Sequence, residues 1–130
     1  LIVDTSAILA VLLNEPDADV YVQALVDSER SAISAANALE VSIVLSHKLG
    51  EAALIDFDDL VREVSLEIAP VSADEYFLAR GAYLSFGKGR HPAALNFGDC
   101  FAYALASSRQ ESLLFKGADF KKTDVSSVLR

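Results

Sequence analysis

Four acidic residues are placed where a parallel α/β fold would gather them: Asp4, Glu40, Asp99 and Asp119. Asp4 directly follows the apolar run Leu1-Ile2-Val3, which reads as a strand. Asp119 follows a second such run, Leu113-Leu114-Phe115, after the turn Lys116-Gly117-Ala118. Asp99 falls in the first turn of a helix expected from about Phe97 to Ser108. Glu40 lies inside a longer helix, with Ala36, Asn37, Ile43 and Val44 at three- and four-residue spacing and no Lys or Arg there. An ionised carboxylate in such company costs several kcal/mol unless something compensates it. Clustered carboxylates repel, and a cation among them removes that penalty. Oxygen donors without Cys or paired His select hard ions, so Mg²⁺ or Mn²⁺ is the expected occupant. Such an ion polarises a phosphoryl oxygen, makes hydroxide available near neutral pH and stabilises a leaving oxygen, so the chemistry indicated is phosphodiester hydrolysis.

Each acid also has a structural reading. Asp4 could cap the helix after its strand, and Asp119 could be a turn residue. Asp99 lies three residues after Asn96, as the acid of a capping box does. Glu40 could face solvent. The functional reading rests on the conjunction: three acids map to one edge of the expected sheet, and the fourth sits where a cation would compensate it.

The elements that must position them follow from the pattern. Thr5-Ser6 can cap a helix from Ala7 to Leu13, which Asn14-Glu15-Pro16 ends. A second helix runs from Asp17 to about Ser28, with Val20, Ala24 and Leu25 on one side. Ser31-Ala32-Ile33 is a short strand, and a long helix from Ser34 to Lys48 closes at Gly50. Residues 51–65 form an amphipathic helix, and Leu66 to Val71 a third strand. Ser72 with Glu75 makes a capping box for a helix reaching Phe86. The stretch 87–92 is a loop, and Val125 to Leu129 reads as a last edge strand. Strands separated by helices imply parallel pairing, hence a three-layer α/β/α sandwich with a short parallel central sheet, whose ligand site lies beyond the carboxyl ends of the strands.

The chain has 130 residues, 52% of them hydrophobic, which suits one domain over residues 1–130 with a real core. Polar residues interrupt every apolar run before it could span a bilayer, and no secretory signal pattern precedes the first strand. The opening at Leu1, inside what reads as a strand, implies that a residue or two, including the initiator Met, belongs in front of it. The single cysteine, Cys100, suits a reducing compartment, and a cytoplasmic protein is expected. Nineteen Asp and Glu against eleven Lys and Arg give a net charge of -8. For a protein meant to touch RNA this needs explanation, since phosphates normally meet a basic face.

Three segments resemble one known family. Leu1-Ile2-Val3-Asp4-Thr5-Ser6-Ala7-Ile8-Leu9 resembles the opening motif of PIN domains. Asn96-Phe97-Gly98-Asp99-Cys100-Phe101-Ala102-Tyr103-Ala104-Leu105-Ala106 is similar to their central acidic helix. Leu113-Leu114-Phe115-Lys116-Gly117-Ala118-Asp119-Phe120 with Thr123-Asp124 looks like the closing motif of the VapC subgroup, the toxin halves of bacterial toxin–antitoxin pairs. Three motifs in order, over essentially the whole chain, are far more specific than any one. The resemblance implies a Mg²⁺-dependent endoribonuclease acting on structured RNA such as tRNA or rRNA, inhibited by a cognate VapB antitoxin, and a homodimer. It implies that Asp4 and Asp99 ligate metal, that Glu40 does so directly or through water, and that Asp119, or Asp124 in its place, is the fourth acid. A hydroxyl of Thr5 or Ser6 would support the site through a carboxylate or a water.

Other residues carry less. His47 and His91 are too few for a Zn site, though they could form a metal-free acid–base pair. Gly87-Lys88-Gly89-Arg90 lacks the context of a P-loop. Lys88, Arg90, Lys116, Lys121 and Lys122 are candidates for phosphate contacts. Cys100 beside Asp99 is a poor nucleophile and suits packing. Tyr76, Phe77, Tyr83 and Phe86 suit packing or a dimer face better than base stacking. The rivals are a phosphatase with an Asp nucleophile, which would want an acid where Ser6 stands, a receiver-type signalling domain, and a non-catalytic α/β binding module. An antitoxin that neutralises the acidic site with Arg or Lys would fit both the toxin reading and the net charge.

Overall fold

A computed structural model describes residues 1–129; Arg130, the last residue of the expected domain, lies outside the described residues. In chain order the elements are β1 (Ile2–Val3), α1 (Thr5–Leu12), α2 (Ala18–Asp27), β2 (Ser31–Ser34), α3 (Ala35–Leu49), α4 (Ala53–Glu63), β3 (Leu66–Ala69), α5 (Ala73–Phe86), α6 (Phe97–Arg109) and β4 (Leu113–Leu114), followed by a 3₁₀ turn at Asp119–Lys122. The four strands pair in parallel in the order β3-β2-β1-β4. This is the α/β sandwich with a short parallel sheet expected from the alternation of apolar runs and helices.

Strand residues alternate between two cores, as a period of two requires. Val3, Ile33 and Leu114 pack with residues of α1 to α4, including Ile8, Leu25, Val41 and Phe57. Ile2, Ala32 and Leu113 pack on the other face with α5 and α6, including Ala82, Ala102 and Leu105. The change of face has a topological cause. Going from β1 to β2 to β3 the chain moves one way across the sheet, and its helices cover one face. From β3 it returns past β1 to β4, and crossovers of the same hand must then lie on the opposite face. The reversal leaves a crevice at the carboxyl ends of β1 and β4, the place where open α/β sheets bind ligands.

Several boundaries differ from the sequence expectation. Helix α1 begins at Thr5, not Ala7, because Asp4 is the residue that caps it, accepting from the Ser6 N–H. Tyr21 and Leu25 form the buried side of α2, while Val20 is 49% exposed. Ser34 caps α3, and Gly50, at φ +90°, lets the chain leave it. Ser72 accepts from the Glu75 N–H and so caps α5, but the reciprocal bond from the Ser72 N–H to the Glu75 carboxylate, which the expected capping box needs, is not formed among the described residues. Strand β3 stops at Ala69, and β4 is only Leu113–Leu114. Instead of a last edge strand there is a single bridge between Leu113 and Ser127. Among the described residues no helix is long and apolar enough to cross a membrane.

Candidate functional site

Asp4 ends β1, and its backbone N–H donates to the Leu114 carbonyl at 2.9 Å, so the carboxyl ends of β1 and β4 are tied together at this residue. Its Oδ2 accepts from the Ser6 N–H at 3.0 Å and from the Ser6 hydroxyl at 2.6 Å. That hydroxyl in turn accepts from the Lys116 N–H at 2.9 Å, just past β4. One oxygen is therefore held by a relay through Ser6. The other, Oδ1, is buried without a hydrogen-bond partner among the described residues. An orphaned buried oxygen costs about 1–3 kcal/mol, so its persistence calls for a ligand or another compensation. Burial, and secondarily the charge of Glu40, pushes the Asp4 carboxyl above the ordinary carboxylate range despite the Ser6 bonds.

Glu40 lies in the second turn of α3, half-buried, and accepts from the Thr5 hydroxyl at 2.5 Å through Oε1. Its apolar helical company proves less apolar than the spacing suggested, since Ile43 is 58% exposed. What surrounds it comes instead from α1, α3 and α6. Asn37, fully buried, donates through Nδ2 to the Gly98 carbonyl at 2.9 Å and lies 3.5 Å from Glu40 Oε1. A Cβ on Gly98 would collide with both carboxylate oxygens of Glu40. The glycine thus makes the space in which that carboxylate lies against the start of α6. Asn37 and Gly98 were not singled out from sequence. Their available signals were an amide three residues before the helical acid and a glycine immediately before Asp99.

Asp99 is both a cap and a member of the acidic group. Asn96 and Asp99 form a reciprocal capping box: the Asp99 N–H donates to Asn96 Oδ1 at 2.9 Å, and Asp99 Oδ2 accepts from the Asn96 N–H at 3.0 Å. The two sequence readings of Asp99 are therefore compatible, because the cap uses one oxygen. Burial raises its pKa to about 7, opposed by the Asn96 bond and assisted by the charges of Asp4, Asp119 and Glu40. All three other acids thus act electrostatically on this one side chain. Asp119 is exposed at the first position of the 3₁₀ turn, whose Phe120 is buried. Asp124 is placed elsewhere: its Oδ1 accepts from the Tyr103 hydroxyl at 2.5 Å, and it is not among the charges acting on Asp99.

The donor set is all oxygen, and Asp4 offers an unpartnered buried carboxylate oxygen, which fits a hard divalent cation better than a neutral ligand. Among the described residues no three Asp, Glu, His or Cys side chains stand close enough to hold an ion as they are. The acids are gathered within electrostatic reach rather than pre-set at ligand distance.

The remaining candidates divide. Lys116 is not a free cation for phosphate: its ammonium meets Asp17 Oδ1 at 2.8 Å and also Glu15. His91 Nδ1 accepts from the Ala93 N–H at 3.0 Å within its own loop, and His47 is exposed at the far end of α3. Cys100 is buried, and its thiol is pushed up by burial and then by Asp99, which suits packing.

Residues 1–126 match the family model of the PIN domain. The chain is 46% identical over 130 residues to Ribonuclease VapC28 of Mycobacterium tuberculosis, covering 99% of this chain and 98% of the relative. It is 43% identical over 128 residues to Ribonuclease VapC of Mycolicibacterium smegmatis, covering 98% and 99%. Among solved structures its fold is similar to that of Mycobacterium tuberculosis VapC20, described as a sarcin–ricin loop cleaving toxin, with TM-score 0.80, 15% identity, and coverage of 98% and 97%. It is also similar to a chain of a toxin–antitoxin complex from Klebsiella pneumoniae, with TM-score 0.70, 16% identity, and coverage of 95% and 92%.

Two outcomes follow from this geometry. Replacing Gly98 by Ala should gain about 0.5–1 kcal/mol of helix preference where nothing obstructs the methyl. With Glu40 present that gain should vanish or reverse, and Glu40→Ala should restore it. Urea unfolding of the two single variants and the double variant measures this coupling; additivity within about 0.3–0.5 kcal/mol would show that the two side chains do not share that space. The second outcome concerns pH in EDTA. Because Asp99 has a pKa of about 7 in the folded chain against an ordinary 3.8, the folded state binds more protons through this interval. Stability should therefore be greatest below it, fall as pH rises from about 4 to 7 and then level off. Asp99→Asn should make the fall shallower; an unchanged slope in the variant would remove Asp99 as its source.

Proposed function

The chain belongs to the PIN-domain family, and from that premise we propose that it is a Mg²⁺- or Mn²⁺-dependent endoribonuclease, the toxin half of a toxin–antitoxin pair. The observation that carries this reading is the orphaned Asp4 Oδ1, buried at the crevice beside Glu40 and Asp99. Asp4, Asp99, Glu40 and Asp119 would hold the cation. When bound, it supplies Lewis acidity toward a phosphoryl oxygen and toward water. The relatives' ribonuclease names support the substrate class, and the toxin–antitoxin complex among the structural neighbours supports an antitoxin partner.

The chain's own side chains have separable roles in this reading. Ser6 fixes Asp4 Oδ2 and leaves Oδ1, which has no partner among the described residues, as the oxygen that would meet the cation. Thr5 orients Glu40 by donating its hydroxyl to Oε1. Asn37 ties α3 to the start of α6, so that Glu40 and Asp99 keep their relation. Asp99, with its pKa of about 7 before any cation binds, would lose its proton on binding one, which makes cation affinity rise with pH through neutrality. Asp119 is the better fourth acid, since Asp124 is engaged by Tyr103. An antitoxin bringing Arg or Lys to this pole would compensate the same charges. A cytoplasmic location and homodimerisation belong to the same reading, as does tRNA or rRNA as substrate.

The test is to incubate the chain with total bacterial RNA in Mn²⁺ or in EDTA, beside Asp99→Asn, and to analyse the product ends. Discrete cuts with 5′-phosphate and 3′-hydroxyl ends are expected, lost in EDTA and reduced at least about a hundredfold in the variant. Cuts that persist in EDTA and leave cyclic phosphates would overturn the reading and return attention to the histidines.

A further inference from the structure

Among the described residues, Lys116 is the cation whose backbone enters the relay that holds Asp4. Its N–H donates to Ser6 Oγ at 2.9 Å, and the Ser6 hydroxyl donates to Asp4 Oδ2 at 2.6 Å. The Lys116 main chain therefore stands two hydrogen bonds from a buried carboxylate, and its ammonium is carried on a flexible four-carbon stem that can span that separation. Attraction to Asp4, Glu40, Asp99 and Asp119 would draw the ammonium inward. It goes the other way, to Asp17 Oδ1 at 2.8 Å and to Glu15. Lys121 and Lys122, exposed on the 3₁₀ turn with Asp119, have no such place in the relay, and Lys122 donates to the Pro92 carbonyl at 3.4 Å.

The two acids that hold the ammonium are themselves held. Asn14 turns the chain at φ +51°, and Pro16 fixes the backbone between Glu15 and Asp17. The Glu15 N–H donates to the Ala10 carbonyl at 3.0 Å, and the Ala18 N–H donates to the Glu15 carbonyl at 2.9 Å. This turn presents both carboxylates from one fixed place. Asp17 occupies the N-cap position of α2, where an Asp side chain ordinarily accepts from a helix N–H, yet it makes no such bond. Its carboxylate meets Lys116 instead. All three side chains are partly exposed, and ion pairs open to water add little to stability, so stability alone is a poor reason to forgo a cap.

We propose that Glu15 and Asp17 are positioning residues that hold the Lys116 ammonium away from the acidic crevice, so that it does not compete with a divalent cation for Asp4 and its neighbours. The proposal rests on the reading that a cation binds these acids, and it adds a control on the affinity. An ammonium among the acids would compensate their charge from within the chain, and an entering cation would have to displace it. If it occupied the crevice for about nine-tenths of the time, the apparent affinity for the cation would fall roughly tenfold. With the ammonium withheld, the unpartnered Asp4 Oδ1 stays open to the cation.

The test measures Mn²⁺ binding to the full chain by calorimetry, without RNA, and the thermal midpoint of the same proteins in EDTA. Glu15→Gln with Asp17→Asn frees the ammonium and should weaken Mn²⁺ binding roughly tenfold. Adding Lys116→Met, which keeps the backbone N–H of the relay, should restore the wild-type affinity, and Lys116→Met alone should not change it. In EDTA the double variant should melt above the triple, because only the double has an ammonium to compensate the acids. A tie that merely joins the α1–α2 connection to β4 would be broken in all three variants alike. Equal losses of affinity in the three, or no loss in the double variant, would overturn the proposal. A wild-type chain that binds no Mn²⁺ would remove the cation reading, and the EDTA midpoints would then decide: a higher midpoint in the double variant supports the withheld ammonium, and equal midpoints in double and triple overturn it.

Discussion

Asp4 is buried at the end of β1 with one carboxylate oxygen satisfied and one left without a partner, and much of the surrounding structure answers to that position. Burial disfavours its ionised form, and Glu40 and Asp99 add like charge nearby. Water is excluded from solvating it, and no Lys or Arg among the described residues is paired with it. Lys116, whose backbone N–H joins the Ser6 relay to Asp4, has its ammonium turned to Glu15 and Asp17. Such an arrangement is unfavourable for folding alone, and fold-only selection would replace Asp4 with Asn or Ser. A cation at the unpartnered oxygen would offset that cost.

The topology explains why the acids meet. Reversal of the crossover direction after β3 places β4 beside β1, so the residues following both strands share one crevice. Helices α3 and α6 approach that crevice from opposite faces of the sheet, and the Asn37–Gly98 hydrogen bond joins them across it. Backbone and side chain serve different functions here. Short strands and capped helices bring the acids near one another; Thr5, Ser6, Asn37 and the missing Cβ of Gly98 determine how each carboxylate is held.

Much of this was legible in the sequence because it follows from local pattern. Apolar runs ending in Asp4 and leading to Asp119, and the Asn96–Asp99 spacing, identify the strand ends and the helix start without tertiary information. The parallel sheet follows from alternation. What was not legible depends on contacts remote in sequence. Asn37 and Gly98 are 61 residues apart, and nothing local to either marks the other. Val20 and Tyr21 exchanged places because a short helix with apolar residues on several sides does not specify its buried face. Lys116 looked like a phosphate contact until the fold brought Glu15 and Asp17 to it. The engagement of Asp124 by the Tyr103 hydroxyl, 21 residues away in sequence, likewise needed the fold.

The most direct test of the claim that a cation completes this site is the thermal midpoint of the wild-type chain and of Asp4→Asn at pH 7.5, with and without Mn²⁺. A ligand that binds only the folded state stabilises it by RT ln(1 + [L]/Kd), so Mn²⁺ at about a hundred times its Kd should add about 2.7 kcal/mol, and the midpoint should rise by several degrees. We expect that rise in the wild type and little or none in Asp4→Asn, whose metal-free midpoint should itself be higher because the buried charge is gone. A wild-type midpoint indifferent to Mn²⁺, or an equal rise in both proteins, would contradict the claim.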